Sequence, residues 1–157
     1  MTDARFEDAG DGPLNLMAHD IDDLRILAAL VQDAVFPASE MAYRVKARHF
    51  ALLVNRFRWE DRVAAEKAGR GYERVQAVLS FGDVRAVQTQ DISRDADTIL
   101  SLLDIAFEPG PDGTGRVILT LAGDGAIALT VEALDVALRD VTRPYIAPSG
   151  KVPAHRD

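Results

Sequence analysis

Basic side chains are concentrated between residues 44 and 74. This segment holds nine basic and four acidic residues, whereas the 157-residue chain has 18 basic and 25 acidic residues and a formal charge of −7. Clustered guanidinium and ammonium groups can bind a carboxylate or phosphate, on a small molecule or on an acidic protein. Alternatively, these charges only solvate outward-facing strand and loop positions. The candidate binding residues are Arg44, Lys46, Arg48, His49, Arg56, Arg58 and Trp59.

Within this basic segment, Arg56, Arg58 and Trp59 are the strongest candidates for contact with a partner. Arginine and tryptophan are enriched in binding interfaces because both offer a broad, flat surface with a polar group. In the alternative interpretation, Trp59 and Phe57 belong to the core and the two arginines merely flank it.

His49 is the candidate for acid–base chemistry. Together with the carboxylate of Asp104 and nearby arginines, it could form a small-molecule active site at the mouth of a barrel. The simpler interpretation is a histidine in a turn between two strands and a solvent-facing aspartate. If Asp104 were buried, it would need a cation such as Arg56 or Arg116.

Other classes of site lack their characteristic residues. The chain has no cysteine and only three histidines without metal-ligand spacing, so we expect no metal and no cofactor. Asp91, Asp95 and Asp97 do not have the spacing of an EF-hand. The glycine-rich stretch 110–115 precedes a predicted strand, whereas a phosphate cradle needs glycines that lead into a helix. No serine lies in a Gly-x-Ser-x-Gly motif.

Hydrophobic periodicity predicts the elements that would position these residues. A helix is predicted over residues 20–35, with Asp20 as its N-cap and Pro37 beyond its end. Alternating patterns then predict about seven strands, and the turn at 123–125 marks a hairpin. Apolar residues at helical spacing predict a second, C-terminal helix. They are Leu134, Leu138 and Val141.

These elements predict an α+β fold that is mainly antiparallel, because consecutive strands without intervening helices cannot be parallel neighbours. We expect a seven-stranded barrel that resembles the pleckstrin-homology topology, or a strongly curved sheet, with an N-terminal helix and a C-terminal capping helix. The alternative is an open antiparallel sheet with both helices on one face. Residues 14–145 would form a single globular domain between flexible tails at 1–13 and 146–157.

Composition narrows the classes of function. The chain is 48% apolar with a mean hydropathy of −0.03, which is typical of a folded domain rather than a disordered chain. It has neither a spanning apolar run nor the pattern of a secretory signal, so we expect a cytoplasmic protein without membrane association. The acidic balance makes nucleic acid an unfavourable partner. An unclosed sheet edge would favour a homodimer.

Several segments resemble a bacterial family known as domain of unknown function 2948, over nearly the whole chain apart from the two tails. The stretch Asn55–Trp59 is the most individual part of the resemblance. It implies a compact cytoplasmic protein and supplies no activity, cofactor or catalytic residue. The segments that carry it are Leu14–Leu30, Val31–Phe36, His49–Glu60, Ile99–Pro109 and Ala126–Ala133.

The absence of a catalytic constellation and the uneven charge together favour a binding or scaffold module. We expect its basic segment, residues 44–74, to contact an anionic ligand or an acidic partner. The alternative hypothesis is a small-molecule enzyme with a His/Asp/Arg pocket.

Overall fold

Twelve strands and two α-helices form the described part of the chain, residues 2–3, 12–93, 95 and 97–153 of a computed structural model. The predicted α+β, mainly antiparallel class is confirmed. The helices are α1 (Ile21–Leu30) and α2 (Arg62–Ala68). The strands are β1 (Thr2–Asp3), β2 (Asn15–Ala18), β3 (Val35–Pro37), β4 (Met41–Arg44), β5 (His49–Phe57), β6 (Glu73–Phe81), β7 (Val84–Gln90), β8 (Ile99–Pro109), β9 (Gly115–Leu121), β10 (Ala126–Val131), β11 (Val136–Asp140) and β12 (Tyr145–Ile146).

The strands form one continuous sheet that does not close on itself. Its order is β1-β2-β11-β6-β5-β3-β8-β9-β10-β7, with β4 paired to β5 and β12 paired to β6. All pairs are antiparallel except β1 with β2. Within the described residues, β1 and β7 each have a neighbour on one side only. The predicted barrel is therefore not supported.

Helix α1 begins where the sequence predicts it. The Asp20 side chain accepts a hydrogen bond from the Asp23 amide at 2.8 Å, which caps the first turn. The helix ends five residues before the predicted position, because the chain reverses at Asp33, whose φ is 62°. The Asp33 amide then donates to the Leu102 carbonyl at 2.7 Å, so residues 35–37 join the sheet as β3.

Alternate residues of the strands build one hydrophobic core under α1. In the longest ladder, between β5 and β6, Leu52 lies opposite Leu79 and Phe50 lies opposite Phe81. The core continues through β8, β9, β10 and β11 and receives Leu27 from the helix. Strands β9 and β10 form the predicted hairpin around the turn at 123–125.

The predicted C-terminal helix is wrong, because Val136–Asp140 forms strand β11. Leu138 lies opposite Leu16 on one side and Leu79 on the other. Val136 and Leu138 also alternate along the chain, and the slot between β2 and β6 offers hydrogen bonds to both edges of a strand. The pleckstrin-homology-like arrangement loses the capping helix on which the expectation depended.

Both ends of the chain include short strands in the part that the structure describes. Thr2–Asp3 pairs with β2, Tyr145–Ile146 pairs with β6, and Ala147 is buried. The predicted domain boundary at residue 145 therefore falls inside β12. The remainder of the predicted tails at 1, 4–11 and 154–157 lies outside the described residues.

The two helices are short relative to a bilayer. In the part of the chain that is described, neither is long and apolar enough to cross a membrane.

Candidate functional site

The basic segment 44–74 divides into two environments at opposite ends of β5. Arg44, Lys46 and Arg48 are exposed at the turn that joins β4 to β5. Arg56 and Arg58 are buried at the other end of the strand. The candidate binding residues are therefore not one surface.

Arg56 is fully buried on the inner face of β5, where it follows Val54. Its Nε and Nη2 donate to the two oxygens of Asp140 at 3.0 and 2.9 Å. Its Nη1 and Nη2 donate to the two oxygens of Glu60 at 2.8 and 2.7 Å, and Nη1 also reaches the Phe57 carbonyl at 3.4 Å. These bonds match the five N–H donors of a guanidinium. Burial alone would lower the pKa of Arg56, but the two carboxylates outweigh it and raise that pKa above its ordinary value.

The two carboxylates that hold Arg56 come from distant parts of the sequence. Glu60 lies in the 3₁₀ turn Trp59–Asp61 that follows β5, and Asp140 ends β11. Asp140 also accepts a hydrogen bond from the Leu14 amide at 2.9 Å. Arg56 therefore joins the end of β5 to β11 and to the chain entering β2.

Further ion pairs extend from Glu60. Arg58 is 4% exposed, donates to Glu73 and lies 3.7 Å from Glu60. Arg70 donates to both oxygens of Asp61 at 2.7 and 2.6 Å. These hydrogen bonds outweigh the opposing effect of burial and hold the pKa of Asp61 below its ordinary value. We call this set the arginine–carboxylate network. It comprises Arg56, Arg58, Arg70, Glu60, Asp61, Glu73 and Asp140.

Trp59 packs beside this network and has a structural partner. Its indole Nε1 donates to the Gln32 carbonyl at 3.0 Å, and its ring meets Phe57 edge-on at 4.7 Å between centroids. The expectation that Arg56, Arg58 and Trp59 face a ligand is therefore corrected. Both arginines are buried against carboxylates, and the tryptophan is held by the main chain.

Two of the exposed basic residues, Lys46 and Arg48, border a shallow groove where the β4–β5 turn meets β7. The groove has a volume of about 380 Å³. Tyr43 fixes its floor by donating to the Val84 carbonyl at 3.1 Å, and the Val84 amide donates to the Arg48 carbonyl at 2.8 Å. We call this the basic groove. It is lined by Tyr43, Val45, Lys46, Arg48, Val84 and Arg85.

One carboxylate serves two of the cations at the basic groove. Glu132 Oε1 lies 3.0 Å from Arg48 Nη1 and 3.6 Å from Arg85 Nε, and all three side chains are more than 40% exposed. Among the described residues, Lys46, the third cation of the groove, forms no salt bridge within 4 Å. The groove therefore keeps an excess of positive charge.

Arg85 and Glu132 were not predicted as site residues. Arg85 is the second residue of a strand that begins 40 positions after Arg44, and Glu132 follows β10. Each belongs to an ordinary alternating or turn pattern, so no local signal could identify them. The pairing of β10 with β7 brings Glu132 beside Arg85, and the bond from the Val84 amide to the Arg48 carbonyl brings this end of β7 to the β4–β5 turn.

The structure does not bring His49 and Asp104 together. His49 is half-buried opposite Arg44 in the β4–β5 ladder, and it lines neither the basic groove nor the depression at Asp104. Asp104 follows a bulge in β8 and is exposed. Its depression, of about 230 Å³, includes Arg25 and Gln32. Arg116, the cation suggested for Asp104, instead lies 3.5 Å from Glu108.

The described residues contain no group of three or more His, Asp and Glu that could hold a metal ion. His155 lies outside the described residues.

Comparison with known proteins places the chain in a sequence family without a described activity. A family model described as "Protein of unknown function (DUF2948)" matches residues 14–155, nearly the whole chain. No curated protein and no solved structure matches the chain.

Proposed function

The chain belongs to the DUF2948 family, and we propose from the geometry of this member that it is a non-catalytic module that binds an anionic group in the basic groove. The observation that carries the proposal is that Lys46, Arg48 and Arg85 meet at one groove although they come from two separate segments. The protein has a formal charge of −7, so three cations at one groove form a locally positive region on an acidic protein.

The groove chemistry suits a carboxylate or a phosphate. Glu132 already holds two guanidinium groups beside each other, so their charges are oriented before a ligand arrives. Because these pairs are exposed, each contributes only about 0–1 kcal/mol, and an incoming dianion could replace them. The Tyr43 ring and Val45 add apolar surface beside the cations.

The same anionic group could belong to a small molecule or to an acidic protein surface. We propose that either source acts through the same three cations, in the cytoplasm. Inorganic phosphate and a peptide of consecutive glutamates represent the two sources in the test.

The test is an NMR titration of the isotopically labelled full chain with each probe. We expect amide shifts at residues 43–48 and 84–85. The double variant Lys46→Ala with Arg48→Ala should weaken binding at least tenfold while the melting temperature stays nearly unchanged. Affinity should also fall as salt is added, because the cations are exposed. The peptide is the favoured source if it binds at least tenfold more tightly than phosphate.

A matched control and one gain-of-affinity variant make the experiment decisive. Lys67→Ala removes an exposed lysine from α2, far along the chain from the groove, and should leave binding unchanged. Glu132→Gln removes the competing carboxylate and should tighten phosphate binding. Shifts that map outside the groove, or an equal loss of affinity in Lys67→Ala, would exclude the proposed site.

A further inference from the structure

Strand β7 ends the sheet, and its outer edge is open beyond Val84, whose amide and carbonyl bond to Arg48 and Tyr43. Within the described chain, β10 is its ladder partner and no strand pairs with its other side. Five of its seven residues are exposed, and Val87 is half-buried. The open stretch from Arg85 to Gln90 is long enough to pair with another strand.

The β9–β10 hairpin fixes which main-chain groups of β7 point outward. The Leu121 amide donates to the Gly125 carbonyl at 2.8 Å, so alternation directs the main-chain groups of Ala126 and Ala128 away from β9 and toward β7. Their partners on β7 are Gln90 and Gln88. The amides and carbonyls of the residues between them therefore face the open edge. These residues are Val87 and Thr89.

The open edge has few of the features that prevent an edge strand from pairing with another chain. It contains no proline and no lysine, and its single charged residue is Arg85, beside the bulge at the start of the strand. From Ala86 to Gln90 the strand is uncharged and regular. Monomeric proteins usually protect such an edge with charges, proline or a bulge.

We infer that β7 pairs antiparallel with β7 of a second copy of this chain, around a two-fold axis at Gln88. This register places Val87 opposite the partner's Thr89, and the outward amides and carbonyls of both residues meet their counterparts. The two Gln88 side chains face each other on the exposed side of the sheet, where one amide can donate to the other. Gln90 lies opposite the small side chain of the partner's Ala86.

Charge supports a second copy as the occupant. In this register Arg85 lies opposite the partner's Asp91, the first residue beyond β7, and the pair occurs twice by symmetry. Within its own chain, Arg85 also lies 3.6 Å from Glu132. The residues at the axis, Ala86 to Gln90, are uncharged, and repulsion between the two acidic copies is screened over about 8–10 Å at physiological salt.

Sedimentation equilibrium of the full chain tests this inference. We expect a dimer with an affinity in the micromolar range, because one pair of edge strands is smaller than a standard interface of about 1,600 Å². Gln88→Lys and Gln88→Glu each place like charges at the axis, so each should weaken the dimer at least tenfold. An equimolar mixture of the two variants should recover wild-type affinity, since lysine then faces glutamate.

The control is Thr120→Lys, an exposed position on the same sheet face but on β9. It should leave the dimer unchanged, and circular dichroism should show that every variant is folded. A wild-type chain that stays monomeric up to about 1 mM, a concentration well above micromolar affinity, would overturn the inference. A dimer that ignores Gln88, or that fails to recover in the mixture, would do the same. Because Arg85 also borders the basic groove, the anion test uses Lys46 and Arg48 instead, so either proposal can fail alone.

Discussion

Replacing Arg56 by methionine tests the arginine–carboxylate network directly. Methionine has similar length and no charge, so it fills much of the same space without donating hydrogen bonds. Glu60 and Asp140, whose side chains are 1% and 2% exposed, would lose the cation between them. We expect the variant to fold and to be much less stable than the wild-type chain.

The magnitude follows from what the substitution leaves behind. Removing one partner of a buried ion pair costs about 3–5 kcal/mol, because the remaining charge has neither water nor a counterion. Here two carboxylates are left, although Arg58 remains 3.7 Å from Glu60 and offsets part of the loss. A domain of this size has about 5–15 kcal/mol in total. The melting temperature should fall by about 6–20 °C, at about 2–4 °C for each kcal/mol.

Urea unfolding measures the change, with far-ultraviolet circular dichroism as the primary probe and Trp59 fluorescence as the second. Arg62→Met is the matched control, because its partner Glu66 is 3.6 Å away and both side chains are 45% exposed. That control should lose less than about 1 kcal/mol. Comparison of the two variants distinguishes the stability lost with a buried ion pair from the stability lost with an exposed one.

A neutral triple variant tests the cause of the loss. Combining Arg56→Met with Glu60→Gln and Asp140→Asn removes the isolated charges, so it should recover a large part of the stability that Arg56→Met loses. The reasoning is refuted if Arg56→Met remains within about 1 kcal/mol of the wild-type chain, the range of an exposed pair. It is also refuted if the triple variant is no more stable than the single one.

Two further perturbations test local contacts. Arg70→Gln should lower the free energy of unfolding by about 1–3 kcal/mol at pH 7, since Asp61 loses a charged donor. Arg70 holds the pKa of Asp61 in the folded chain below its unfolded value. The stabilisation from this pair is therefore present above about pH 4 and is lost as the pH falls through the folded pKa. Urea titrations in which Arg70→Gln loses the same free energy of unfolding at low and at neutral pH would contradict this. Gly115→Ala should lower the unfolding temperature measured by calorimetry, because the new Cβ would lie 2.5 Å from the Glu108 carbonyl oxygen. Gly125→Ala is the control. Its Cβ would lie 3.4 Å or more from its neighbours, so it should unfold at nearly the wild-type temperature.

The alternating strands were predictable because burial on one face of a sheet imposes a period of two. Residues Val75, Ala77 and Leu79 follow this rule and are buried. Strand β8 breaks it, since Leu100 and Leu102 face the core before the bulge and Ile105 faces it afterwards. An unbroken period of two would instead place Ile99, which is 62% exposed, on the same face as Ile105. A bulge is set by pairing with β9, which lies beyond the strand's own sequence.

The error at β11 has a related cause. Leu134, Leu138 and Val141 satisfy a helical spacing, and a segment of five to eight residues contains too few apolar positions to separate the two periods. The conformation of this segment is determined by β2 and β6, because the gap between their edges accommodates only an extended strand. Strand β2 lies about 120 residues and β6 about 60 residues from β11 along the chain.

The burial of Arg56 did have a signal in the sequence. Phe50, Leu52 and Val54 occupy the inner parity of β5, and Arg56 is the next residue on that parity. An arginine on a buried parity predicts carboxylate partners, because an unpaired buried charge is too costly. Glu60, four residues later, is a local candidate. Asp140 could not be named, since 84 residues separate it from Arg56 and the pairing of β11 decides its position.

The network also explains why the net charge of residues 44–74 does not show which of its basic residues are available to bind a ligand. Three arginines of the network are set against four buried or half-buried carboxylates, and three of those carboxylates belong to the same basic segment. The excess positive charge of residues 44–74 must then be carried by cations outside the network. Three of these, Arg44, Lys46 and Arg48, lie within five residues at one turn. The proposal for anion binding therefore depends on two of the seven predicted residues, Lys46 and Arg48, and it gains Arg85 from a strand that sequence alone does not connect to them.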